Sequence, residues 1–187
     1  MSHTTEIKGV PIRNISALRL AVAALKSRGI NVDLVENEIP RMYFDNQIRN
    51  QIAKVPERAA SYDLNEDPER CDYVLKVHDA FYDVGLLRKK DGSYAPIFDN
   101  YARPSRRSGS NHKDKMLSEV IGREFVNADR LTGEEMIAEK TKHEVGQFLQ
   151  QYTREATVEE AVASGLMLSS ETVDEKGECV LLFEDYN

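Results

Sequence analysis

The stretch CDYVLKVHDAFYDVGLLRKKDGSYAPIFD, Cys71–Asp99, decides the fold, because it holds the densest strand-like alternation in the chain. Tyr73, Leu75 and Val77 alternate with more polar neighbours, a pattern typical of a strand with one face against a core. The alternation breaks once and then resumes up to Lys90–Ser93, where an Asp-Gly pair between two apolar runs predicts a hairpin turn. The stretch therefore predicts an antiparallel meander at the centre of a sheet.

The first forty residues predict a strand, a helix and a second strand. Thr4–Pro11 is short and is interpreted as an opening strand, and Ile30–Ile39 alternates apolar and polar residues. Between them, apolar residues recur at three- to four-residue spacing, which is the pattern of an amphipathic helix. Asn14 or Ser16 can cap its first turn, and Gly29 stands where a left-handed residue ends a helix.

Two segments interrupt this pattern and are interpreted as insertions, at residues 40–70 and 100–130. The first is expected to hold a short helix that ends before Pro56 and an exposed polar loop at Asp63–Arg70. The second begins with Tyr101–Lys115, which has almost no apolar content. A loop of that length is either functional or disordered.

The C-terminal third predicts two helices and a hairpin. Thr132–Glu135 and Thr157–Glu160 both have the capping-box pattern of a helix start, and Gly165 closes the second helix. Leu166–Thr172 and Glu178–Phe183 then read as the paired strands of a terminal hairpin. Together the elements predict an α+β fold, with one mostly antiparallel sheet of six or seven strands and helices packed on one face.

Composition sets broad limits on function. The chain of 187 residues is expected to form one domain, residues 1–187. Its net charge of -7 argues against wholesale nucleic-acid binding. No apolar run approaches the roughly 20 residues of a membrane span, and no secretory signal is evident, so a cytoplasmic protein without membrane contact is expected. Cys71 and Cys179 are too few for a disulfide scaffold and are expected to be buried thiols.

Short motifs at both ends and at the centre carry a resemblance to a known family. The chain opens with Met1-Ser2-His3, followed by Ile7-Lys8, and Tyr82-Asp83-Val84-Gly85 stands just before the predicted hairpin turn. Glu135–Tyr186 adds the closing helices and hairpin. In these features the chain resembles a small family known as a hypothetical reading frame of red-algal plastids and cyanobacteria, number thirty-five in that series. The family has no assigned activity, so the resemblance implies a layout but no catalytic residue.

A group of cations is the first candidate site. They lie at the predicted hairpin tip and in the long loop that follows it: Arg88, Lys89, Lys90, Arg103, Arg106, Arg107, Lys113 and Lys115. Guanidinium forks suit phosphate oxygens, so a phosphate-bearing ligand, a nucleic-acid phosphate or an acidic protein surface could bind there if the loop folds over the tip. The alternative is a solvated loop without a ligand.

Other candidates are weaker. His78 lies beside Asp79 and near Asp83, so a polar site built on a histidine–carboxylate pair is geometrically possible, with a surface histidine as the alternative. Glu139 and His143 share a helix face, but nothing supplies a third ligand at fixed spacing, so no metal site is expected. Nucleophile motifs, phosphate loops and dinucleotide fingerprints are missing from the sequence, so no catalytic residue and no cofactor are predicted.

Three functional hypotheses follow. The first is a non-enzymatic binding or regulatory protein that acts through contacts with a protein partner, because loops carried by a rigid sheet are common binding sites. The second is a phosphate-ligand or nucleic-acid binder that uses the cations of the tip and loop, with the steep salt dependence of such binding. The third is an enzyme of a type that the motifs do not reveal.

Overall fold

The computed structural model describes residues 4–6, 11–43, 46–99, 115–123, 143–174 and 179–185. Within these residues the fold is α+β, with antiparallel strands in a five-stranded and a two-stranded sheet. The strands are β1 Thr4–Glu6, β2 Val32–Glu38, β3 Cys71–Val77, β4 Val84–Arg88, β5 Tyr94–Asp99, β6 Leu166–Val173 and β7 Cys179–Asp185. The helices are α1 Ile15–Ser27, α2 Pro56–Ala59, α3 Leu117–Val120 and α4 Gly146–Ala163, with a π-helical turn at Arg49–Ala53.

The predicted meander is confirmed as the centre of the large sheet. The strand order is β1-β5-β4-β3-β2, and every pair of neighbours is antiparallel. The turn between β4 and β5 contains Gly92 at a φ of 79°, a left-handed conformation that favours glycine. The amide of Lys89 donates to the carbonyl of Ser93 at 2.7 Å and closes the hairpin.

Both faces of this sheet are buried. Successive side chains of a strand point to opposite faces, and here they enter two separate apolar cores. Leu75, Leu86 and Phe98 join the core that includes residues of α1 and α4. Their neighbours in sequence, among them Leu87 and Ile97, join the second core, on the opposite face. The central strands are thus packed against an apolar core on each face and serve as scaffold.

Helix α1 follows the sequence prediction closely. The side chain of Asn14 accepts a hydrogen bond from the amide of Ala17 at 3.0 Å, which is the expected N-cap. Gly29 follows the helix with a φ of 82°. The apolar stripe is buried: Ala17, Leu18, Ala21, Val22 and Leu25. It packs with residues of α4, so the two long helices lie together against the sheet.

Helix α4 corrects one prediction. The capping-box pattern at Thr157–Glu160 predicted the start of a separate helix, but α4 runs without a break from Gly146 to Ala163. The prediction was wrong because a capping box needs an extended residue before the first turn, and helix-forming neighbours continue the helix through Thr157. Gly165 follows with a φ of 82° and ends the helix as predicted. The other pattern, Thr132–Glu135, lies outside the described residues.

The segment of residues 40–70 covers the second face of the large sheet. Ile48, Ile52 and Tyr62 are buried in the second core. The polar loop Asp63–Arg70 was expected to be exposed, but Glu69 within it is buried and its carboxylate accepts the amide of Arg49 at 2.7 Å. A buried carboxylate requires such donors, and here it satisfies amides at the start of the π-helical turn.

Candidate functional site

Asp83, a residue of the predicted polar site, is a fully buried structural clamp. Its carboxylate accepts hydrogen bonds from the Arg41 guanidinium at 2.7 Å and from the Arg41 amide at 2.9 Å. The amide of Val77 also donates to it, at 3.2 Å. Burial raises the pKa of Asp83, but the hydrogen bonds from Arg41 outweigh it, so the pKa lies below its ordinary value. Asp83 therefore remains ionised and ties residue 41 to the start of β4.

His78 does have a carboxylate partner, which is Asp33 on β2. The His78 Nε2 lies 2.7 Å from an oxygen of Asp33, and the Lys26 ammonium donates to the other oxygen at 2.7 Å. Hydrogen bonds from Lys26 and His78 lower the pKa of Asp33. Asp79 contributes its backbone carbonyl to the amide of Lys115. Lys26, Asp33 and His78 form a solvent-exposed surface cluster, and such ion pairs contribute little to stability.

The cations of the hairpin tip contact their own chain. Arg88 Nε lies 2.8 Å from Asp72, and the guanidinium also lies 5.7 Å from the ring centroid of Tyr94. The ammonium of Lys89 lies 5.8 Å from the ring centroid of Tyr62. At Lys90 the backbone amide donates to the carbonyl of Ser61 at 3.1 Å. The contacts of Lys89 and Lys90 connect the tip to the segment of residues 40–70, which covers the second core.

Lys115 lies at the other end of β4 from this tip. Its amide donates to the carbonyl of Asp79 at 3.0 Å, and its carbonyl accepts the amide of Phe81 at 2.9 Å. These two partners, Asp79 and Phe81, belong to the loop before β4, whereas the hairpin tip lies at the end of β4. The remaining cations of the predicted cluster lie outside the described residues: Arg103, Arg106, Arg107 and Lys113. Convergence of these cations on the tip stays a prediction.

The cysteines are not poised as nucleophiles. Cys71 is buried beside Gly85, as predicted, and burial raises the pKa of its thiol to about 12. Cys179 is only half-buried, so the prediction of a buried thiol is wrong for it. Its sulfur donates to Glu171 at 3.3 Å, and burial and that carboxylate raise the pKa of the thiol. A reactive cysteine needs a lowered pKa.

An open groove of about 730 Å³ lies between the start of α1 and the outer part of α4. The Tyr152 hydroxyl accepts the amides of Arg13 and Asn14 at 2.8 Å and 3.2 Å. Glu159 accepts hydrogen bonds from Asn14 and from the Ser16 hydroxyl. The polar groups at the helix start thus satisfy one another.

Two classes of site find no counterpart in the described part of the chain. No three histidine, cysteine or acidic side chains there lie close enough together to hold a metal ion. None of the described helices combines the length and the apolar character needed to cross a membrane.

The terminal β6–β7 hairpin is a second sheet that follows α4 directly. Its inner face, which includes Glu171 and its cross-strand neighbour Leu181, is turned towards α4. There the Arg154 guanidinium donates a hydrogen bond to the Glu171 carboxylate at 2.8 Å, and this hydrogen bond lowers the pKa of Glu171. Strand β6 has a register shift between Leu168 and Ser170, whereas β7 is regular.

The outer face of this hairpin carries three of the large apolar side chains that are exposed among the described residues. Met167, Val180 and Leu182 are 48%, 50% and 56% exposed. Leu182 lies opposite Ser170, and Val180 lies opposite Thr172, so these side chains share one face. Sequence reasoning placed the hairpin but did not identify it as a site. The signal was the unbroken apolar run Val180–Phe183, since a strand with one covered face should alternate.

Comparison of the chain with protein-family models, curated proteins and solved structures gives no match. The resemblance to the plastid and cyanobacterial reading frame therefore stays a prediction from its motifs.

Proposed function

We propose that this protein is a non-enzymatic binding protein that docks on another polypeptide through the β6–β7 hairpin. The observation that carries the proposal is the exposed apolar outer face around Leu182, next to half-exposed Val180 and Met167. Full burial of an exposed apolar side chain contributes about 1.5–3 kcal/mol, so these half-exposed side chains can each gain roughly half of that when a partner covers them.

The architecture of the hairpin supports the same function. A two-stranded sheet is only marginally stable alone, and sheets gain stability when further strands or a covering surface are added. Among the described residues, β6 and β7 pair with each other and with no third strand. An unpaired strand edge beside an apolar face is a common receptor for a partner chain.

Three polar side chains outside the β6–β7 hairpin make contacts within the chain that account for their positions. Asp83 binds Arg41 in the interior, and Arg88 binds Asp72 at the hairpin tip. The Glu69 carboxylate accepts the amide of Arg49 at the start of the π-helical turn. The large sheet and its helices thus act as a stable platform that presents the hairpin.

Affinity capture with matched variants tests the proposal. Immobilised wild-type protein is exposed to an extract of the source organism, beside Leu182→Glu and the control Leu20→Glu. Leu20 lies on α1 and is 45% exposed, so the control adds the same charge at a comparable apolar position away from the hairpin. Wild type and the control should retain one partner that Leu182→Glu loses. Equal retention by all three, with unchanged circular dichroism, would refute docking at this face.

A further inference from the structure

The edge of β7 lacks the features that usually protect the edges of natural sheets. Natural sheets protect their edges with lysines, prolines, bulges or covering elements. Strand β7, with the sequence CVLLFED, contains no lysine, proline or register shift, whereas β6 has a bulge that disturbs pairing on its side. Of the two edges of the hairpin, β7 is therefore the one suited to extension.

The charge pattern of β7 determines the direction in which a second copy can pair with it. The only charges of the strand are Glu184 and Asp185, at one end. A parallel second copy would place these carboxylates side by side, and like charges directly opposite one another destabilise a sheet. An antiparallel second copy places them at opposite ends of the new pair, against apolar residues.

The midpoint of the strand fixes the register. A two-fold axis through Leu182 aligns all seven residues of β7 with the second copy, Cys179 with Asp185 and Val180 with Glu184. Leu181 then lies opposite Phe183, and Leu182 meets its own counterpart on the outer face. A shift of the axis to Leu181 or to Phe183 would leave only five of the seven residues of β7 paired. The register centred on Leu182 is therefore the one that uses the whole strand.

We propose that two copies of this chain associate through antiparallel β7–β7 pairing centred on Leu182, which joins their hairpins into a four-stranded sheet. The inference rests on the proposed docking role of the hairpin and names its occupant. A two-fold isologous contact is the commonest arrangement of homodimers. The added strands also provide the third and fourth members that a two-stranded sheet lacks.

Sedimentation equilibrium from low to high micromolar concentration tests the association. Wild type and Leu20→Glu should form a dimer with the same dissociation constant. Leu182→Glu should raise this constant about tenfold or more, because two leucine contacts are lost and two carboxylates meet at the axis. A wild-type chain that stays monomeric overturns the inference, and so does a dimer that Leu182→Glu leaves intact.

Cysteine cross-linking tests the register independently of affinity. In a Cys179→Ser background, Leu182→Cys should form a covalent dimer on mild oxidation, since residues that face each other across strands lie within disulfide reach. Val180→Cys should not, because the axis separates its two copies by about 14 Å along the strands. Equal cross-linking of both variants overturns the proposed register. A monomeric wild type that still captures a different protein through Leu182 would overturn this inference and leave the docking function standing.

Discussion

Replacement of Asp83 by alanine should destabilise the protein by about 3 kcal/mol. Removal of one partner from a buried ion pair lowers the free energy of unfolding by about 3–5 kcal/mol. The low end applies here because the Arg41 side chain is 44% exposed and can regain water. The amides of Arg41 and Val77 also lose their acceptor. At about 2–4 °C per kcal/mol for a domain of this size, the melting temperature should fall by roughly 6–12 °C.

Urea denaturation of wild type, Asp83→Ala, Arg41→Met and the double variant measures this effect. The double variant should be less destabilised than the sum of the single changes, because each single change already removes the pair. A loss below about 1 kcal/mol in Asp83→Ala, or strict additivity, would refute the assignment of Asp83 as a clamp.

The pairing of Asp83 with Arg41 also makes the stability of the protein depend on pH. The folded-state pKa of Asp83 is lowered, so its contribution is present above the unfolded value of about 3.9 and is lost as pH falls through the folded value. The stability difference between wild type and Asp83→Asn should therefore be constant near neutral pH and shrink below about pH 4. A difference that grows on acidification would contradict this sign.

Further predictions concern the core and the thiols. Gly85→Ala should destabilise the fold by about 1–3 kcal/mol, because an added Cβ would lie 2.7 Å from the Cys71 sulfur, and Cys71→Ala in the same chain should restore part of the loss in thermal melts. Cys71 should resist iodoacetamide in the folded protein and react only on unfolding, whereas half-buried Cys179 should be alkylated first, as mass spectrometry would show. Tyr152→Phe should lower the free energy of unfolding by about 1–2 kcal/mol in urea, because the amides of Arg13 and Asn14 lose their acceptor.

The elements that local signals encode could be predicted from the sequence. The Asp-Gly turn before Ser93, the Asn14 cap and the glycines that end both long helices depend on conformations of a few neighbouring residues. The capping-box pattern at Thr157 is equally local, yet it failed because the surrounding helix continues through it. A local pattern shows that a residue can begin a helix, and the surrounding structure determines whether a helix begins there.

Features that depend on distant contacts could not be predicted. Glu69 looked like part of an exposed polar loop, and only the folded chain brings the amides of residues 48 and 49 to its carboxylate. The pairing of His78 with Asp33 joins the residue that follows β3 to a residue of β2, and the two are far apart in sequence. The exposure of Leu182 likewise depends on which face of the hairpin α4 covers. The alternation of apolar and polar residues shows which side chains share a face of a strand. It does not show whether another element covers that face.

The central claim is that the outer face of the β6–β7 hairpin is a docking surface. Its most direct test is a photo-reactive amino acid placed at position 182, with a second preparation labelled at position 20 as the control, each irradiated in an extract of the source organism. Position 182 should yield one discrete cross-linked polypeptide, which excess wild-type protein abolishes and excess Leu182→Glu does not, and position 20 should yield none. Cross-linking of equal yield at both positions, or none at position 182, would contradict it.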